Sequence, residues 1–215
     1  MSEAIELGLA PPKAGDLEPT AALDSDHPEV MALAARLSED GSASTAATAS
    51  RLFAHVRDRV RYDPFVLSSH PDDYRASAIL RAEAGYCVQK AVALAALARA
   101  AGIPARLGFA DVRNHLQTPR LRELMGTELF VGHGYSVLWI DEAWVKASPA
   151  FNRELCERHG VSPLDFDGRE DALLHAFDGA GRPYMSYERE RGTYGDLPLE
   201  WLLGIYRCTY PSLAR

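Results

Sequence analysis

Among the three cysteines, Cys87 is the one placed for chemistry. It follows the local break Gly85-Tyr86 and opens a run from Val88 to Ala101 that is strongly helix-forming and apolar nearly all round. A helix N-terminus presents unpaired N–H groups and a partial positive charge, which lower a thiol's pKa and make it a better nucleophile. Such a nucleophile also needs a base from elsewhere in the fold. His133 qualifies, because the flanking Gly132 and Gly134 leave room for a thiol to approach. A thiol and an imidazole paired in this way perform acyl transfer through a thioester. The oxyanion formed on the way needs preorganised donors. The Cys87 backbone N–H is the first, and Tyr62 and Gln89 are candidates for a second; for Tyr62 the alternative is a buried aromatic, for Gln89 a helix cap.

For the two side chains to meet, a helix carrying Cys87 must pack on a sheet carrying His133. The helix is predicted over residues 88–101 and is stopped by Gly102-Ile103-Pro104. Strands are predicted at 105–112, 135–140 and 143–147. The last two are joined at Asp141-Glu142 and carry Trp139 and Trp144, which reads as an antiparallel hairpin. Upstream, Asp26, Pro28 and Glu29 start a helix whose apolar face is Val30, Leu33, Ala34 and Leu37. A second helix runs from about Ser44, presents Leu52, Phe53, Val56 and Val60, and stops at Arg61-Tyr62-Asp63-Pro64. A short helix is predicted at 76–84. Residues 113–132 are long for a plain connection and form a candidate substrate loop or lid. The stretch from Phe151 is expected to wrap back over the core as irregular structure and short helices. The expectation is one α+β domain over 1–215, helices packed on a small antiparallel sheet, with an arm at 1–25, a core at 26–152 and a C-terminal wrap at 153–215.

A cysteine opening a buried helix, then a strand, then Gly132-His133-Gly134-Tyr135-Ser136-Val137-Leu138-Trp139-Ile140 resembles the transglutaminase-like superfamily of papain-type cysteine enzymes. Val60-Arg61-Tyr62-Asp63 upstream, Gly85-Tyr86-Cys87, and Gly102-Ile103-Pro104-Ala105-Arg106 belong to the same resemblance, which covers about residues 52–152. It implies a transglutaminase-like, cysteine-proteinase fold with Cys87 as nucleophile and His133 as general base. The family pattern places an aspartate fifteen residues after the histidine, and here that position is Ser148. A hydroxyl there orients an imidazole but supports its positive charge poorly. Counting the hairpin about Glu142 and Ala143 puts Asn152 opposite His133, and an asparagine orients the histidine in papain-like enzymes. Asn152 is therefore the first candidate for the third member, with Ser148, Asp111 and a downstream Asp165 or Asp167 as alternatives. Tyr62, Gln89, Tyr135, Ser148 and Phe151 are the candidate substrate-binding residues.

Composition narrows the partners. With 30 acidic and 23 basic side chains the net charge is −7, which opposes binding to a phosphate backbone. No stretch is long and apolar enough for a membrane span, and the acidic, proline-bearing start does not read as a secretory signal. Three widely spaced cysteines without a Cys-x-x-Cys suggest neither a disulfide framework nor zinc, so a reducing, cytoplasmic setting is expected. His55, His70 and His115 lack ligand-like spacing, and the acidic run 165–171 lacks the calcium-loop register, so no metal or other cofactor is expected. Arg113, Arg120 and Arg122, with Lys90 and Arg106, form either a positive rim to the pocket or a solvated face. The function expected is cysteine-dependent acyl transfer or hydrolysis on a small amide- or peptide-like substrate. The alternatives are an ester- or carbon–carbon-forming acyltransferase on the same pair, and a binding domain that keeps the pocket without turnover.

Overall fold

A helix that is apolar all round must be covered on every side, and here every residue from Cys87 to Arg99 is buried. The computed structural model describes residues 10–38, 43–115, 117, 119–175, 177–182 and 184–210. Its elements are α1 (Pro28–Ser38), α2 (Thr45–Arg59), β1 (Arg61–Tyr62), α3 (Ala76–Ala82), β2 (Ala84–Gly85), α4 (Cys87–Ala100), β3 (Ala105–Asn114), α5 (Pro119–Met125), β4 (Leu129–Ile140), β5 (Ala143–Ala147), α6 (Arg153–Arg158), β6 (Met185–Tyr194) and α7 (Leu199–Thr209). The fold is α+β. Helices α1, α2 and α3 pack against α4 from one side, and β3 and β4 pack against it from the other. The main sheet is antiparallel with order β5-β4-β3-β6, and α7 lies against β4.

Local chemistry explains the elements. Ser44 caps α2 by accepting the Ala47 N–H, and Leu52, Phe53, Val56 and Val60 are buried as the helical spacing predicts. Lys90, in mid-core on α4, is fully buried and donates its ammonium to the carbonyls of Arg57 and Val60, closing the C-terminal end of α2. From the arm, Asp16 forms a buried bidentate pair with Arg106, Thr20 binds Asp196, and Asp24 accepts from Ser77. Residues 1–9 of that arm lie outside the described residues.

Three expectations are corrected. The β4–β5 ladder runs from Ile140↔Ala143 to Ser136↔Ala147, so continuing it sets residue 133 level with 150, not with Asn152. The turn is a two-residue one in which Asp141 and Glu142 both take positive φ, 47° and 66°. The 113–132 segment is no long loop, because β3 and β4 extend into it and α5 occupies its middle. Finally, the C-terminal third supplies a ten-residue edge strand, β6, paired with β3.

Candidate active site

Cys87 is the first residue of α4, after Tyr86 in extended conformation. Strand β4 crosses this helix end in direct contact: a Cβ built on Gly134 would lie 2.8 Å from the Val88 Cα, so only glycine permits the approach. Burial pushes the Cys87 thiol up to about 11, opposed by hydrogen bonds to the sulfur from the backbone N–H groups of Gly134, Val88 and Cys87 itself. One residue away, His133 is buried, and burial holds its imidazole down to about 4. Its Nε2 lies 3.2 Å from Ser148 Oγ. Nε2 is engaged there, which leaves Nδ1 clear of that contact. Burial favours the uncharged form of both groups, a neutral thiol and a neutral imidazole lining one cavity.

Cys87 and His133 open onto one cavity of about 250 Å³ whose walls come from many parts of the chain. Tyr62 and Phe65 follow α2, Tyr86 precedes the nucleophile, Leu121 and Met125 come from α5, Phe151 precedes α6 and Leu155 lies in it, Tyr206 is in α7 and Tyr210 just follows it, and β3 and β4 add Val112 and Val131. Tyr62 meets Phe151 edge-on at 5.0 Å, and Phe151 stacks on Tyr184 at 6.1 Å. Arg120 of α5 sits 4.7 Å over the Phe65 ring, joining two walls at the mouth.

Of the residues singled out from sequence, Cys87, His133, Tyr62 and Phe151 line this cavity. Ser148 stands behind the imidazole. Asn152 does not take the role expected of it: its Oδ1 accepts the Tyr62 N–H at 3.2 Å, and the hydrogen-bond partner at His133 Nε2 is Ser148. The register explains this, since Asn152 lies two positions beyond the residue level with His133. Asp111 accepts the Gly132 N–H at 3.1 Å and is clamped by Arg191. Asp165 pairs with Arg57, and Asp167 turns to the backbone of Arg169 and Glu170. Gln89 is spent on structure, its amide accepting the Tyr86 N–H and donating to Asp73 O. Tyr135 lies away from the cavity, its ring against Gly108 and its hydroxyl donating to Glu190. Of the basic residues, Arg113 pairs with Glu188, Arg122 with Glu128 and Arg106 with Asp16, and Lys90 is in the core, while Arg120 stays next to the cavity, over the Phe65 ring. Among the described residues no His, Cys, Asp or Glu cluster could hold a metal ion, and no helix is long and apolar enough to cross a membrane.

Sequence reading missed Tyr206 and Tyr210. Tyr210 Oη accepts the Val131 N–H at 2.6 Å, and Tyr206 Oη donates to Gly132 O, so α7 and the residue that ends it hold the backbone just before His133. Their i, i+4 spacing in an apolar segment was the available signal.

Several solved structures are similar to this chain. A candidate cysteine protease from Cytophaga hutchinsonii matches with TM-score 0.48 and 17% identity, over 83% of this chain and 53% of that one. A candidate protease from Parabacteroides distasonis matches with TM-score 0.41 and 18% identity, over 60% and 26%. The periplasmic domain of TgpA from Pseudomonas aeruginosa matches with TM-score 0.41 and 20% identity, over 64% and 49%. The chain spans about half the length of these structures or less. No curated protein matches it. The family model of the transglutaminase-like superfamily matches residues 31–149, more than half of the 215 residues and inclusive of Cys87 and His133: the chain belongs to the transglutaminase-like superfamily.

Proposed function

We propose that this protein is a cysteine-dependent acyltransferase or hydrolase acting on a small amide- or peptide-like substrate. The observation that carries the reading is the shared cavity, lined both by Cys87, the first residue of a helix, and by His133, whose Nε2 lies 3.2 Å from Ser148 Oγ. His133 Nδ1 takes the thiol proton as sulfur attacks the carbonyl carbon. The tetrahedral oxyanion is met by the Cys87 backbone N–H, with the Tyr62 hydroxyl as the side-chain candidate on the cavity wall. His133 then returns the proton to the leaving amine, the C–N bond breaks, and a thioester remains. Water attacking that thioester, with its proton passed to His133, releases an acid; an amine attacking in its place forms a new amide. A cavity of about 250 Å³ suits a small substrate better than the cross-linking of large proteins. We place the reaction in the cytoplasm, consistent with three free cysteines.

Iodoacetamide tests this. Cys87 is expected to alkylate near neutral pH at least tenfold faster than Cys156, which is buried, with His133→Ala abolishing the difference. A Cys87 rate no greater than that of Cys156 and unaffected by His133→Ala would sink the proposal. It would favour the reading in which the pocket binds without turnover, a reading the neutral resting pair and the hydroxyl at Ser148 both support.

A further inference from the structure

We infer that the acyl group delivered to Cys87 is uncharged and carries a ring, an inference that rests on the acyl-transfer reading above. An apolar cavity of about 150 Å³ is enough to hold benzene. The cavity here, about 250 Å³, takes a six-membered ring together with the few atoms that join it to the reacting carbonyl. Its walls are flat where a ring needs them flat: Phe151 and Tyr184 are stacked with planes 17° apart, and Tyr62 stands edge-on to Phe151.

Charge is excluded by what the walls lack. None of the described residues lining the cavity is Asp, Glu, Lys or Arg, and burying an unpaired charge is costly. Next to the lining residue Phe65, Asp63 accepts the Phe65 N–H and pairs with Arg61, and Arg120 lies over the Phe65 ring. The polar side chains that line it are the imidazoles of His133 and His159, the Asn114 amide, the Cys87 thiol and tyrosine hydroxyls. The hydroxyls of Tyr62 and of the buried Tyr184 form no hydrogen bond with another described residue, which leaves them for an uncharged oxygen or nitrogen on the ligand.

Two measurements test this. In the first, Cys87→Ala protein is titrated with phenylacetamide, acetamide and succinamate. Phenylacetamide is expected to bind at least tenfold more tightly than either of the others, and Leu155→Trp or, should that variant not fold, Met125→Trp is expected to fill the cavity and remove the advantage. In the second, the unsubstituted protein is treated with phenylacetyl, acetyl and succinyl thioesters of N-acetylcysteamine, and acylation of Cys87 is followed by mass. The phenylacetyl donor is expected to react at least tenfold faster than the succinyl donor. Equal acylation by all three, or succinamate binding as tightly as phenylacetamide, overturns this inference and leaves acyl transfer standing. Acylation of Cys87 by none of the three overturns both.

Discussion

Ser148 Oγ lies 3.2 Å from His133 Nε2, fifteen residues on along the chain, at the position where the family pattern carries an aspartate. The hydroxyl therefore occupies the place of the carboxylate and keeps its orienting function without its charge. A single neutral hydrogen bond contributes about 1 kcal/mol, so Ser148→Ala is expected to slow alkylation or acylation of Cys87 by roughly fivefold. Ser148→Asp is expected to raise the His133 pKa from about 4 toward the ordinary imidazole value, because a carboxylate stabilises the imidazolium. The pH–rate profile of Cys87 alkylation reads this directly, and an unshifted acid limb in Ser148→Asp would show that the ring is not held through this oxygen.

The Asp111–Arg191 pair sets the strand ahead of the imidazole. Asp111 accepts both the Gly132 N–H and the Arg191 guanidinium, and Gly132 takes φ +67° to present that N–H. Removing one charge of a buried pair costs about 3–5 kcal/mol. Asp111→Asn should lose stability of that order in urea titration and slow Cys87 alkylation as well. Replacing both partners, as Asp111→Asn with Arg191→Met, should recover part of the stability but not the rate, since the uncharged arginine substitute leaves no buried ion while Gly132 still lacks its carboxylate.

Protonation of His133 is disfavoured in the folded state because burial lowers its pKa from 6.5 to about 4. The unfolded chain then binds more protons between those values, so stability falls as pH drops from 6.5 toward 4, by up to about 3 kcal/mol from this group. Urea midpoints at pH 7 and 4.5 should differ by less in His133→Gln. The base itself stays unprotonated down to about pH 4, so the acid limit of alkylation is expected well below neutrality.

Lys90 should give a pH dependence of its own. Burial lowers its ammonium from 10.5 to about 7, so above that pH the unfolded state holds the extra proton and stability rises with pH. Between pH 7 and 8.5 the gain expected from this group is about 2 kcal/mol. Lys90→Met should flatten that rise while lowering stability overall, because the carbonyls of Arg57 and Val60 lose their donor. An equal rise in both proteins would remove Lys90 as its source.

The helices were legible because each carries a local signal, the Ser44 cap and the apolar faces of α1 and α2, and the cysteine opening an all-apolar helix and the glycine-flanked histidine were legible as residues that line one cavity. Asn152 was misplaced because register depends on turn geometry. Asp141 and Glu142 both adopt positive φ without the Asn-Gly or Gly signal that marks such a turn. Strand β6 was hidden by Glu188-Arg189-Glu190-Arg191, a charged run that masks period-two alternation on a solvent-facing edge. Asp111 was weighed as a partner of the imidazole and is instead the partner of a backbone amide next to it, a distinction that only bulged pairing between β3 and β4 creates.

Because Gly134 lets strand and helix touch backbone to backbone, the seam that aligns the sulfur with its base is also a seam of the hydrophobic interior. Loosening one loosens the other. Placing a side chain at position 134 should therefore lower stability and slow alkylation of Cys87 together.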